Sequence, residues 1–199
     1  MRRQRPIEYE LEEDETAWRE AKAILKSDPR AGIEKMRLLA ENGSPLAIYE
    51  MGRASVNGIG TSRNLEEAEK WLRKLAEKKS VRGNYHLARL LLSQKRFHEA
   101  MEALRFSAAR GFAPALLSLG KIYYFGWGVD RDVDRAVRYL EQASEGGSVF
   151  ATRLLASVML RTRTGLLARY RATELICKSA VQFILVLMKE GVESERLLR

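Results

Sequence analysis

Residues 119–129 read Leu-Gly-Lys-Ile-Tyr-Tyr-Phe-Gly-Trp-Gly-Val, and an earlier stretch at residues 51–60 reads Met-Gly-Arg-Ala-Ser-Val-Asn-Gly-Ile-Gly. A shift of 68 positions without a gap superimposes the two stretches. It pairs Gly52 with Gly120, Gly58 with Gly126, Gly60 with Gly128, Ala68 with Ala136, Leu72 with Leu140 and Ser80 with Ser148. A fixed period of this kind is the sequence signature of a repeat architecture.

The period itself divides into shorter units. A shift of 36 maps residues 51–53 onto residues 87–89, and a shift of 32 maps Ala68 onto Ala100. Further shifts of 36 extend the pattern in both directions, from about Glu15 to Gly191. We therefore predict a charged N-terminal tail at 1–13, a repeat domain at 14–191 and a C-terminal tail at 192–199.

Each unit reads as two helices. Apolar and small residues recur three and four positions apart in both halves, as in Ala115, Leu116 and Leu119 and then in Ala68, Leu72 and Leu75. The spacing predicts antiparallel helix pairs that turn near residues 58–64, 94–97, 126–132 and 161–166, with no strand. Gly52 and Gly120 fall inside predicted helices, where glycine is unfavourable, and we expect a close approach of the neighbouring helix to be the reason that it is tolerated.

The runs at 51–52, 58–60, 67–76 and 119–129 resemble the Sel-one-like repeat family, which is related to tetratricopeptide repeats. The resemblance implies an all-α fold, a right-handed α-solenoid of stacked antiparallel helix pairs, here four to five of them. It also implies protein–protein contacts, often as an adaptor in bacterial signalling, envelope or secretion systems, and no catalytic residues. The middle unit departs from the pattern because it lacks the glycine loop, and the last because residues 161–165 replace it.

Composition agrees with a helical globular protein. Hydrophobic residues make up 46% of the chain, and the formal net charge is +9. Residues 1–15 carry three positive and six negative charges, which leaves +12 on the rest. A basic body favours acidic proteins, nucleic acid or an anionic membrane surface as partners. The acidic start is unlike a secretory signal and the single cysteine allows no intrachain disulfide, so we expect the cytoplasm.

No constellation of residues points to catalysis, a cofactor or a metal. The glycine loops do not follow a strand and lack the Lys-Ser/Thr ending of a phosphate-binding loop. His86 and His98 have no cysteine or acidic pair at metal-ligand spacing. Cys177 lies in an apolar helical stretch, which predicts an inert thiol in the core. We expect a protein that is not an enzyme.

Repeat symmetry indicates a binding surface. The position after the glycine of the first helix is Arg53, Arg89 and Lys121 in three consecutive units. Because this position faces away from the core, we predict that the three side chains line a groove that accepts an acidic segment of a protein partner. Tyr49 and Tyr85 occupy another equivalent position and suit an interface. The alternative for all five is a solvated basic face.

The C-terminal part offers two further candidates. Arg161, Arg163, Arg169 and Arg171 form a basic cluster, but no nucleic-acid-binding motif accompanies it. The last helix, which includes Phe183 and Leu187, is apolar on most sides, yet it is shorter than the roughly 20 apolar residues of a transmembrane span. Burial against the preceding repeat, a partner or self-association surface, and membrane contact all remain open for it.

Together these patterns predict a non-enzymatic scaffold or adaptor that binds another protein, in a bacterium. The alternative is an accessory or regulatory subunit of an enzyme or of a membrane-associated envelope or secretion complex. Nucleic-acid binding is the least favoured of the three.

Overall fold

A computed structural model describes residues 15–162, 170–181 and 184. All regular structure in these ranges is helical, as predicted. Residues 15–162 form nine helices, and residues 170–181 are also helical. The nine are α1 Glu15–Ser27, α2 Pro29–Glu41, α3 Pro45–Asn57, α4 Leu65–Glu77, α5 Val81–Ser93, α6 Phe97–Ala108, α7 Ala113–Phe125, α8 Val133–Glu145 and α9 Val149–Thr162.

The helices divide into two compact units. The first ends at Gln94 and contains α1 to α5, and the second begins at Lys95 and contains α6 to α9. Within each unit every helix packs against the next one in the chain. The starts of α2, α3, α4 and α5 recur 68 positions later as the starts of α6, α7, α8 and α9. The period seen in the sequence is therefore the repetition of a four-helix block.

The loops inside the helix pairs lie where the glycines and capping residues place them. Gly58 and Gly126 end α3 and α7 with φ of 70° and 71°, a left-handed conformation that favours glycine. Asn64 and Asp132 then accept backbone hydrogen bonds at the starts of α4 and α8. The predicted turns at 58–64, 94–97 and 126–132 are confirmed. The fourth prediction, at 161–166, lies largely outside the described residues, since α9 extends to Thr162 and residues 163–166 are not described.

The two helices of a pair touch through the glycines that the sequence singled out. A Cβ atom on Gly52 would lie 3.0 Å from side-chain carbons of Leu72 in α4. A Cβ atom on Gly120 would lie 2.8 Å from the equivalent carbons of Leu140 in α8. The absence of a side chain therefore lets each leucine pack directly onto the backbone of the facing helix.

Candidate functional site

Five of the seven predicted binding residues lie on first helices of the predicted helix pairs: Tyr49 and Arg53 on α3, Tyr85 and Arg89 on α5, and Lys121 on α7. Of these helices, α3 and α5 belong to the first compact unit. Ser44 accepts a hydrogen bond from the backbone N–H of Ala47, and Pro45 suits the first turn of α3. Ser80 caps α5 in the same way through Gly83. Both helices are thus fixed at their starts, and they hold the side chains at residues 49–57 and 85–93 in place.

A cavity of about 410 Å³ opens between α3, α4 and α5. Arg53 and Arg89 both line it, together with Arg63 from the loop after α3. None of the lining residues is acidic. The remaining walls are apolar or uncharged: Tyr49, Gly52, Val56, Asn57, Leu65, Leu72, His86, Leu90 and Ser93.

The charge of Arg53 is partly balanced by a glutamate that the sequence analysis did not identify. Arg53 Nε donates to Glu50 Oε2 at 2.7 Å, and Lys22 Nζ of α1 lies 3.7 Å from Glu50 Oε1. Glu50 is only 4% exposed. A buried carboxylate requires cationic partners. Arg53 therefore stabilises Glu50 in addition to lining the cavity. Arg63 and Arg89 are exposed and form no ion pair with Glu50.

An aromatic cluster forms one side of the cavity. The rings of Tyr49 and His86 lie 4.6 Å apart, and the ring of Tyr85 meets His86 edge-on at 5.3 Å. The Arg89 guanidinium lies 6.0 Å from the centre of the Tyr85 ring. Tyr49 and Tyr85 therefore both contact His86, although of the two tyrosines only Tyr49 lines the cavity.

His86 is held in its neutral form. Burial is the main cause, and the nearby charges of Arg89 and Arg82 add to it, so that the pKa of His86 falls from 6.5 to about 4. Because His86 is neutral, the positive charge of the cavity lies on the guanidinium groups of Arg53, Arg63 and Arg89 alone. Guanidinium groups bind carboxylates in a planar, two-pronged geometry.

The lowered pKa of His86 predicts a loss of stability in mild acid. The imidazole of His86 takes up a proton near pH 6.5 in the unfolded chain but only near pH 4 in the folded chain. Acid therefore favours the unfolded chain, and the free energy of unfolding falls as the pH is lowered from about 6.5 toward 4. We expect the free energy of unfolding, measured with urea, to be on the order of 1–2 kcal/mol lower near pH 5 than near pH 7. The variant His86→Phe keeps a ring but has no proton to take up, so its stability should vary less over this range. An equal pH dependence in both proteins would contradict the assignment.

Of the other predicted residues that the structure describes, Lys121, Arg161 and Arg171 do not line this cavity. Lys121 is exposed on α7 in the second unit. Phe183, Leu187, Arg163 and Arg169 lie outside the described residues, so the predictions made for them stay predictions. Arg161 and Arg171 are exposed.

The C-terminal helical stretch packs on the second unit by one side. Ala172 is buried in a core cluster with residues of α7, α8 and α9, and Leu175 packs against the same cluster. Ile176, Val181 and Ile184 are exposed. The prediction that Cys177 is a buried core thiol is wrong, because the cysteine is exposed. The apolar sequence around it did not reveal which side of the helix meets the core.

Residues 15–162, 170–181 and 184 contain no group of three or more His, Cys, Asp or Glu side chains arranged to hold a metal ion. Among the helices of those same residues, none combines the length and the apolar character needed to cross a membrane.

Comparison with known proteins agrees with the internal repeat. A family model described as the Sel1 repeat matches residues 45–80 and 113–148, which contain the pairs α3–α4 and α7–α8. An uncharacterized protein of Neisseria meningitidis serogroup B is 33% identical over 136 residues, which are 67% of this chain and 28% of that protein. The chain thus spans less than a third of that relative's length.

Two solved structures share the fold. The crystal structure of a Sel1 repeat protein from Oxalobacter formigenes matches with a TM-score of 0.70 and 23% identity, over 83% of this chain and 71% of that one. A protective antigen of uropathogenic Escherichia coli with an SLR fold matches with a TM-score of 0.69 and 26% identity, over 83% of this chain and 38% of that one. The predicted all-α solenoid class is confirmed. The resemblance drawn from the glycine loops is confirmed as well: the chain contains Sel1 repeats at residues 45–80 and 113–148.

Proposed function

We propose that this chain is a non-enzymatic scaffold that binds an acidic segment of a protein partner in the cavity between α3, α4 and α5. One observation carries the proposal: Arg53, Arg63 and Arg89 line the cavity together and no acidic residue does. Sel1 repeats support protein binding in general, and the arginines supply the preference for acidic segments. A complementary charge also speeds the encounter with such a partner.

The wall of the cavity suits a peptide more than a simple ion. Tyr49 and Leu90 offer apolar contact area, and Asn57 and Ser93 offer hydrogen bonds to a main chain. Aromatic and arginine side chains are also the residues that most often dominate binding energy at protein interfaces. We therefore place the main contribution to affinity on Arg63, Arg89 and Tyr49.

Selection from a library of short random peptides tests this proposal directly. We expect peptides rich in Asp and Glu to be enriched on the immobilised protein. The double variant Arg63→Glu, Arg89→Glu should bind the enriched peptides at least about tenfold more weakly, because like charges then face each other. Affinity should also fall as salt is added.

The matched control is Lys26→Glu, Lys70→Glu. It makes the same change in net charge at two exposed positions that do not line the cavity. We expect it to bind the peptides within about twofold of the unmodified protein. Enrichment without acidic residues, or equal losses in the two double variants, would overturn the cavity as the binding site.

Self-association through the C-terminal helix stays a second proposal, supported by the exposed Ile176, Val181 and Ile184. The bacterial origin and the cytoplasmic location likewise stay proposals. They rest on the bacterial sources of the similar proteins and on the single cysteine.

A further inference from the structure

Three helices of the second unit bring polar side chains to one point beside Tyr123. Arg105 of α6 and Arg135 of α8 each donate a hydrogen bond to the Tyr123 hydroxyl of α7, at 3.4 and 3.3 Å. Tyr123 is only 4% exposed, and its ring stacks on Tyr139 at 5.7 Å. The Arg135 guanidinium also lies 4.8 Å from the centre of the Tyr123 ring. Two guanidinium groups are thus directed at one fixed hydroxyl.

The first unit has a carboxylate at the equivalent point. The 68-residue period relates Arg37 to Arg105 and Glu67 to Arg135. In the first unit Arg37 Nη1 donates to Glu67 Oε1 at 3.2 Å, and Trp71 Nε1 donates to the same oxygen at 3.4 Å. In the second unit an arginine replaces that glutamate. A neutral ion pair has become two like charges, which repel unless an anion lies between them.

The neighbouring carboxylates do not pair with both Arg105 and Arg135. Asp132 pairs with Arg135, with 3.3 Å between Nε and Oδ2, and its other oxygen caps α8. Arg105 forms no ion pair with any described residue, and its described side-chain hydrogen bond is the one to Tyr123. The Arg105 guanidinium therefore has no carboxylate within ion-pair distance among the described residues.

Tyr123 itself responds to that charge. Burial raises the pKa of Tyr123, but the hydrogen bonds and the positive charges of Arg105 and Arg135 outweigh burial and lower the pKa below its ordinary value of 10.0. A hydroxyl that is polarised in this way is a strong donor to an incoming anion.

We propose that the second unit binds a carboxylate of a protein partner between Arg105 and Arg135, in the role that the Glu67 carboxylate has in the first unit. The site opens into a cavity of about 940 Å³, which admits a side chain. Arg105, Arg131 and Arg135 line this cavity together with Asp130, Asp132 and Asp134. Repulsion from the three carboxylates disfavours phosphate, which carries more negative charge, more than it disfavours a single carboxylate. This site is separate from the cavity of the first unit and does not depend on the function proposed for it.

Nuclear magnetic resonance of the arginine side chains in the full chain tests the site. The probe is N-acetyl-glutamate amide, added at constant ionic strength, with N-acetyl-glutamine amide as its neutral counterpart. We expect the Nε–Hε signals of Arg105 and Arg135 to shift and saturate with the glutamate probe, to stay unchanged with the glutamine probe, and to respond more weakly to inorganic phosphate.

Variants then locate the response. Arg135→Glu restores an internal carboxylate and should weaken the response of Arg105 to the probe at least about tenfold. Arg138→Glu makes the same charge change at an exposed position one turn along α8 and should leave it within about twofold. Arg105→Gln, at an exposed position, removes one guanidinium without adding an acidic group, and it should weaken the response of Arg135 to the probe. A response that does not saturate, that appears with phosphate alone, or that persists in Arg135→Glu overturns the proposal.

Discussion

Arg53→Glu is expected to lower the free energy of unfolding of the first unit by about 3 kcal/mol or more. The reason is Glu50, a carboxylate 4% exposed whose closest cation is Arg53 Nε at 2.7 Å. The substitution removes that cation and places a second carboxylate next to a buried one. Only Lys22, 3.7 Å from Glu50, remains to balance it.

Urea unfolding followed by tryptophan fluorescence measures this effect in a Trp127→Phe background. The remaining tryptophans, Trp18 and Trp71, then both lie in the first unit. Arg89→Glu is the control, since it reverses a charge at an exposed wall position and should change stability by less than about 0.5 kcal/mol. Equal unfolding midpoints for the two variants would show that Glu50 does not depend on Arg53.

This result bears on the basic positions predicted from the sequence. Arg53 and Arg89 were predicted to be equivalent binding residues, and both line one cavity. Their energetic roles differ, however, because only Arg53 neutralises a buried acid. A binding loss in an Arg53 variant would therefore mix recognition with unfolding, which is why the binding test uses Arg63 and Arg89.

Gly120→Val is expected to destabilise the second unit by about 3 kcal/mol. A Cβ atom at this position would lie 2.8 Å from side-chain carbons of Leu140, closer than carbon atoms pack, and α7 and α8 would have to separate. Leu140 is fully buried, so its side chain has no free space to enter. The measurement is urea unfolding monitored by circular dichroism.

A double-mutant cycle with Leu140→Ala isolates this contact. Leu140→Ala alone should cost about 2–5 kcal/mol through the cavity it leaves. In that background Gly120→Val has room, so its further cost should shrink to less than about 1 kcal/mol. If the two costs simply add, the close contact between α7 and α8 is not what excludes a side chain at Gly120.

The helical fold was predictable because its determinants are local or periodic. Gly58 and Gly126 mark the ends of α3 and α7, and Asn64 and Asp132 mark the starts of the helices that follow. The 68-residue period identified the helix pairs, and the glycines at 52 and 120 identified where the helices of a pair meet. Each of these signals depends on residues within one or two helices.

The interior of the candidate sites was less predictable because it depends on side chains from three helices. Glu50 reads as an ordinary helical glutamate until Lys22 of α1 and its own burial are known. Arg105 and Arg135 lie 30 positions apart, and only the fold brings both to Tyr123. Cys177 illustrates the opposite error, since an apolar stretch alone does not tell which of its residues faces solvent.

The 68-residue block also has a genetic consequence. Within an α-helix, deletion of one codon turns every later side chain by about 100° and so removes the contacts of the helix with its neighbours. Unequal recombination between the two copies of the block instead adds or removes 68 codons at once, and equivalent helix positions meet at the junction. Such an event preserves the phase of every helix on both sides. A gain or loss of one whole block therefore keeps the helix contacts in phase, whereas the loss of one residue within a helix does not.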